Sequence, residues 1–474
     1  MRLRALLIAS ASLLTIPAAA EPPDDRGGFA PQVELAPDFR ITPPGNAVDV
    51  QPGREYRLDE LIDLAERSNP ETREAWERAR QAAFAVGLVE SSFLPEIAAE
   101  ALAGYQRTPL PIPKDLVSRG YFTATTLEVL PTLSVKWLLF DFGRRSNAEE
   151  GAKANALAAN VAFNGANQKL VFTVSRDYFA LDATRGKLRV AEQALKNAGV
   201  VQDAVESRRR NGLATSVDVA QAVRQSAQAR YDLERAKGAA RAAYESLVAS
   251  MGVVPSAPIQ VAGNGDMDLP ALPGEAVEQL VEKALAARPD LIAAEGKIRA
   301  ADANLRKEEA DDYPTVALEA QGYQNIGEIS ALSSHYSSVN EPGASVMVKF
   351  SWSLFDGGAR KARASIARSQ AAAARDSLDH ARDEAVKQVT TTYDALKTSL
   401  AENQAAIALK NAAQAAYDAG LDSYRHGVGT YIALVNDETA LTQAQSTFED
   451  ARASALSSAV GLAFATGSIE FKAR

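Results

Sequence analysis

Two periods alternate along the chain. Leu127, Val129, Leu133, Val135, Trp137 and Leu139 alternate with Glu128, Thr132, Ser134 and Lys136, the two-residue period of a strand. Val346, Val348, Phe350, Trp352 and Leu354 alternate in the same way with Ser345, Lys349, Ser351 and Ser353. Shorter alternations run through Ile97, Ala99, Ala101, Ala103 and Tyr105, and through Val316, Leu318 and Ala320. These patterns predict strands at about 96–106, 125–140, 315–324 and 344–355. Runs of about ten residues with one apolar and one polar face fit transmembrane β-strands. Taken singly, each also fits a strand of a soluble sandwich.

Helical spacing fills most of the rest. One helix is predicted from Leu58 to Phe93, with Leu58, Leu61, Ile62 and Ala65 on one face, and its mate from Glu275 to Asp312. Pro95 and Pro314 end them. Proline-free stretches predict long helices over 146–210 and 362–425, each on the order of 95–100 Å at 1.5 Å per residue. Further helices follow at 216–249 and 431–465. The shorter helices, about 36 and 35 residues, together match one long helix, so two stacked end to end can run beside one continuous partner.

The order helix, strand, strand, long helix, helix occurs twice, because the chain is duplicated. Trp137, Phe140, Asp141, Gly143 and Arg145 recur as Trp352, Phe355, Asp356, Gly358 and Arg360, an offset of 215 residues. The same offset links Tyr178 to Tyr393, Gly212 to Gly427, Thr215 to Thr430 and Gly252 to Gly467. Upstream, Pro95 matches Pro314 at an offset of 219. The repeats are 58–252 and 275–467, with a Pro/Gly/Asp-rich linker at 253–274 and a tail at 468–474.

The first 20 residues read as a signal peptide. Arg2 and Arg4 precede an apolar run from Ala5 to Ile16, and Ala18-Ala19-Ala20 supplies the small residues of a cleavage site. Residues 21–57 follow as an extended arm rich in Pro, Gly and Asp. No later stretch reaches the length of a transmembrane helix.

Composition narrows the function. With no cysteine, disulfides, thiolate metal sites, a cysteine nucleophile and an acylated N-terminus are excluded. His335, His380 and His426 are too scattered for a histidine metal centre, and a net charge of -9 argues against nucleic acid as a partner. There is no Gly-rich phosphate loop, His-Glu-x-x-His or Gly-x-Ser-x-Gly, so no catalytic, metal or cofactor residue is assigned. Asn264-Gly-Asp266-Met-Asp268 lacks the later ligands of a calcium loop and reads as a solvated linker.

Four strands cannot close a barrel, and an open edge in lipid leaves backbone groups unsatisfied. If the strands cross a membrane, several copies must share one barrel: two give eight strands and three give twelve. The long helices then form a second tube beyond it. An isolated coiled coil, such as a structural surface protein, shares the helices but does not explain the strands.

The sequence resembles the TolC family of outer membrane efflux proteins over essentially its whole mature length. The resemblance rests on the duplication, on Leu139-Phe140-Asp141-Phe142-Gly143 and Leu354-Phe355-Asp356-Gly357-Gly358, and on the turns Arg209 to Val219 and Tyr424 to Ile432. It implies a homotrimer with a twelve-stranded outer-membrane β-barrel, continued by an α-helical barrel through the periplasm. It implies an exit duct served by an inner-membrane pump and a periplasmic adaptor protein, with no enzymatic step. A protein-secretion duct shares this architecture. Without a cysteine after the leader, attachment to outer-membrane lipid rests on the barrel.

The resemblance also assigns roles at the turns. Gly212 and Gly427 bend the chain between antiparallel helices, so Arg210, Leu213, Arg425 and Val428 are expected to face the adaptor. The periplasmic end is expected to be closed at rest, with an Asp218–Tyr424 tie between hairpins. The second-repeat match of Asp218 is Ala433, so Asn436 and Asp437 are expected to supply the constriction instead.

Overall fold

The computed structural model describes residues 47–48, 50–51, 53–115, 118–255, 258–264, 267–330 and 336–469. The expected signal peptide, nearly all of the arm before residue 53 and the end of the tail lie outside the described residues.

The first repeat holds α1 (Leu58–Ser68), α2 (Pro70–Ser91), β3 (Glu96–Pro111), β4 (Tyr121–Phe140), α3 (Arg144–Arg210) and α4 (Ser216–Met251). The second holds α5 (Val277–Ala287), α6 (Pro289–Ala310), β7 (Thr315–Ser330), β8 (Ser337–Ser351), α7 (Ala359–Arg425) and α8 (Tyr431–Ala465). Two-residue strands flank the linker: β1 (Ala47–Val48) pairs in parallel with β5 (Val254–Pro255), and β2 (Glu55–Tyr56) with β6 (Gln260–Val261). The linker lies near the midpoint of α3, where Tyr178 Oη donates to the Ala262 carbonyl at 2.9 Å and Arg185 to that of Val261 at 2.7 Å.

The first helix of each repeat, expected to be continuous, is broken. Proline disfavours the helical conformation in the residue before it. Asn69 and Arg288 are extended (ψ 125°), and Pro70 and Pro289 open the next helices. Asn69 caps α2 by accepting from the Glu71 amide at 2.7 Å. The buried Arg288 side chain bridges the break, donating to Gln388 Oε1 at 3.0 Å and to the Ala465 carbonyl at 3.1 Å.

The four long strands form one antiparallel sheet in the order β3-β4-β7-β8, and the repeats meet through β4 and β7. Three strands run past the expected limits at their outer ends, and β8 starts earlier than expected but stops at Ser351, short of the expected 355. Leu127, Val129 and Leu133 are exposed while Glu128, Thr132 and Ser134 are half-buried, so the apolar face is turned outward. In water each exposed face would forfeit about 25 cal/mol per Å² of burial; against hydrocarbon it forfeits nothing. Among the described residues no helix is long and apolar enough to cross a membrane.

The strand-to-helix corners repeat one design. Trp137 Nε1 donates to the Phe93 carbonyl at 2.8 Å, and Trp352 Nε1 to that of Asp312 at 3.1 Å. Asp141 accepts from the Arg145 amide and guanidinium at 3.0 and 2.8 Å, while Arg145 donates onward to the Ser92 carbonyl. Asp356 and Arg360 repeat this more loosely, with 3.4 Å between their charged groups. The chain turns through two left-handed residues at each corner, Phe142 (φ 52°) and Gly143, then Gly357 (φ 71°) and Gly358. Phe142 holds a conformation costly for a side chain, stacked on Tyr313 at 5.1 Å.

Candidate functional site at the hairpin tips

The α3–α4 and α7–α8 hairpins end in matching turns. Past the C-terminus of α3, Gly212 (φ 73°) lets the Leu213 amide reach back to the Arg208 carbonyl at 2.8 Å. Past α7, Gly427 (φ 84°) brings the Val428 amide to the Ser423 carbonyl at 3.1 Å. A left-handed residue is the usual end of a helix, and glycine takes it without steric cost. Thr215 and Thr430 then open the return helices, accepting from the amides of Asp218 at 3.1 Å and Ala433 at 3.2 Å.

The turns carry matching apolar exposures. Leu213 and Val217 in the first and Val428 and Ile432 in the second are each at least 60% exposed, and each pair stands at the 215-residue offset. Arg210 and Arg425 are also exposed. The tips therefore present apolar side chains rimmed by arginine.

Among the described residues, no hydrogen bond joins the expected gate residues to one another. The Asp218 carboxylate accepts from the Thr215 amide at 2.8 Å and from its hydroxyl at 2.9 Å. These bonds hold its pKa below the ordinary aspartate value. Within the chain its hydrogen bonds thus serve its own helix start rather than Tyr424. Tyr424 is buried and packs edge-on to Tyr431 at 6.5 Å. Burial raises its hydroxyl pKa; the nearby Arg208 opposes the shift and Asp218 adds to it. Asn436 is exposed, whereas the Asp437 carboxylate rests on Gly420 of α7.

Two residues outside the expected set lie between the hairpins in this region. Arg208 of α3 donates to the Tyr424 carbonyl at 2.6 Å, and its guanidinium lies 4.9 Å from the centre of that ring. It joins the two hairpins. Its repeat match is Ser423, and that asymmetry was the available signal. Glu438 of α8 is 2% exposed within the apolar packing of the hairpins, and burial pushes its carboxyl up to about 7. Its place among Tyr431, Leu434 and Leu441 at helical spacing marks it as inward-facing.

A duplicated strand-and-helix unit with outward apolar strands, long paired helices and exposed hairpin tips defines an outer-membrane channel subunit. The sequence pattern of the outer membrane efflux protein family matches residues 61–253 and 280–468, and the chain belongs to that family. It is 29% identical over 388 residues to protein CyaE of Bordetella pertussis, covering 82% of this chain and 77% of that one. It is 24% identical over 417 residues to outer membrane protein OprJ of Pseudomonas aeruginosa, covering 85% and 82%. Its fold superposes on the outer-membrane channel OprN with a TM-score of 0.73 at 21% identity, over 91% of this chain and 98% of that one. The protein is an outer-membrane exit duct that extends into the periplasm.

Proposed function

We propose that three copies of this chain form a twelve-stranded barrel continued by a helical tube, and that the hairpin tips receive a periplasmic adaptor serving an inner-membrane pump. The observation that carries the reading is the four-stranded sheet itself. β3 and β8 are edges with no further partner among the described strands, and their apolar side chains face outward. An unpaired edge in hydrocarbon leaves donors and acceptors unsatisfied, so the edges must close on other copies. Pairing β3 of one copy with β8 of the next removes every edge.

Transport through such a tube is passive and takes its energy from the pump. The chain contributes a path, a docking end and a restriction. The exposed apolar residues and arginines at the tips suit a partner that buries apolar turns and offers acceptors. Closure at rest rests on the packing between hairpins, where Arg208 and Tyr424 meet. Native mass measurement of the detergent-purified protein is expected to give a trimer, and planar-bilayer recording a low resting conductance. A stable monomer that conducts nothing would overturn the reading.

A further inference from the structure

Near the tips, α8 turns a continuous seam toward its neighbours. Tyr431, Leu434, Glu438, Leu441 and Ala444 are each no more than 8% exposed, and they follow one another at three- or four-residue steps. The apolar members pack with Val201 and Val205 of α3, Ala222 of α4, and Tyr417 and Tyr424 of α7. Glu438 alone in this seam carries an acid. One of its carboxylate oxygens is buried without a hydrogen-bond partner, as is the Tyr431 hydroxyl. The matching position of the first repeat is Val223, so the hairpin design itself does not call for a carboxylate.

A groove of about 540 Å³ runs beside the seam between α3, α4 and α8, and Glu438 is on its wall. The groove gives water a route to the acid. Its charges are already matched: Lys187 of α3 pairs with Asp450, and Arg235 of α4 lies 3.7 Å from Asp232. From α7, Tyr417 feels the charge of Glu438, with Asp418 and Arg425 also acting on it. On α8 itself Tyr431 feels it too, alongside Arg224 of α4. Among the described residues no cation pairs with Glu438, and burial is the cause of its raised pKa. A buried carboxylate without a partner is costly in its charged form and tolerable as the neutral acid.

We propose that Glu438 is a proton-operated latch between the two hairpins: protonated, it completes the dry seam; ionised, it draws water from the groove and loosens α8 from α3 and α7. The proton binds the carboxylate and leaves to solvent, and no other bond changes. The latch rests on the reading of this end as the resting closure, and ties that closure to periplasmic pH.

Amide hydrogen exchange of the assembled protein in detergent, corrected for the intrinsic effect of pH, tests the latch. Between pH 6 and pH 8, on either side of its pKa of about 7, the acid goes from mostly neutral to mostly ionised, so protection over residues 434–445 is expected to fall about fivefold or more. Glu438→Gln keeps the shape without the charge and is expected to hold the pH 6 protection at both values. Glu438→Val, copying the first repeat, is expected to do the same. An unchanged wild-type profile, or an equal pH response in Glu438→Gln, overturns the latch. Bilayer conductance of the same preparations separates the two ideas. Loosening with rising conductance supports both; loosening at constant conductance supports the latch and places the closure elsewhere.

Discussion

Arg208 and Tyr424 lock the two hairpins to each other: the guanidinium donates to the tyrosine carbonyl at 2.6 Å and lies over its ring. The bond joins α3 of one repeat to α7 of the other, so it resists any movement that spreads the hairpins. A charge-assisted hydrogen bond of this kind contributes about 1–2 kcal/mol when partly buried. Arg208→Ala is expected to raise resting conductance by about 5- to 30-fold, the ratio that energy represents. Arg208→Lys keeps the charge but not the planar fork, and is expected to fall between. Wild-type conductance in Arg208→Ala would remove this contact from the closure.

Gly212 and Gly427 separate turn geometry from docking. Alanine at either position adopts a left-handed conformation at a cost of about 1 kcal/mol, small against the whole assembly. Trimers of both variants are expected to form. Bulkier residues there displace the exposed Leu213 and Val428, and are expected to abolish adaptor co-purification and transport. Full transport by Gly212→Trp and Gly427→Trp would show that the tips do not dock.

Asp218 acts first on its own helix. Its lowered pKa means that its contribution is present above the ordinary carboxylate range and is lost as the pH falls below about 3.8. Asp218→Ala is expected to cost about 0.5 kcal/mol at neutral pH, seen as faster exchange over 215–219. A rise in conductance with unchanged exchange would instead assign the carboxylate to a tie with another hairpin.

The two strand-to-helix corners differ in how dry they are. The side chains of Asp141 and Arg145 are 7% and 12% exposed, against 23% and 16% for Asp356 and Arg360. Removing one member of a buried pair costs more than removing one that water can replace. Asp141→Ala is expected to cost about 3 kcal/mol, and Asp356→Ala distinctly less. Heat resistance of the purified protein ranks the two, and equal losses would contradict the difference in burial.

Much of this architecture was legible in the residues. The 215-residue offset exposed the duplication, alternation located the strands, and the absence of proline marked the long helices. The break at Asn69 and Arg288 was missed, although Pro70 and Pro289 stand beside it. Both α1 and α2 pack along α3, so the apolar positions on either side of the break read as one helix. Arg208 escaped because a comparison of repeats favours what they share, and Arg208 is matched by Ser423. Glu438 escaped because a charge in an alanine-rich helix reads as solvated until neighbouring helices are placed around it.

The helices α3 and α7 are each 67 residues long. Equal counts make the chain a ruler, in which each residue adds about 1.5 Å and turns the face by about 100°. Deleting one residue from α3 alone would raise its tip relative to that of α7 and rotate Arg208 away from Tyr424. The same deletion made in both helices would shift both tips together, though each seam would still turn against its neighbours. Only deletions close to whole turns, of about seven, eleven or eighteen residues, removed from both arms and their return helices, shorten the reach while nearly restoring every facing contact. The span from sheet to tip is therefore quantised, and a partner meeting these tips must be built to one of a few discrete heights.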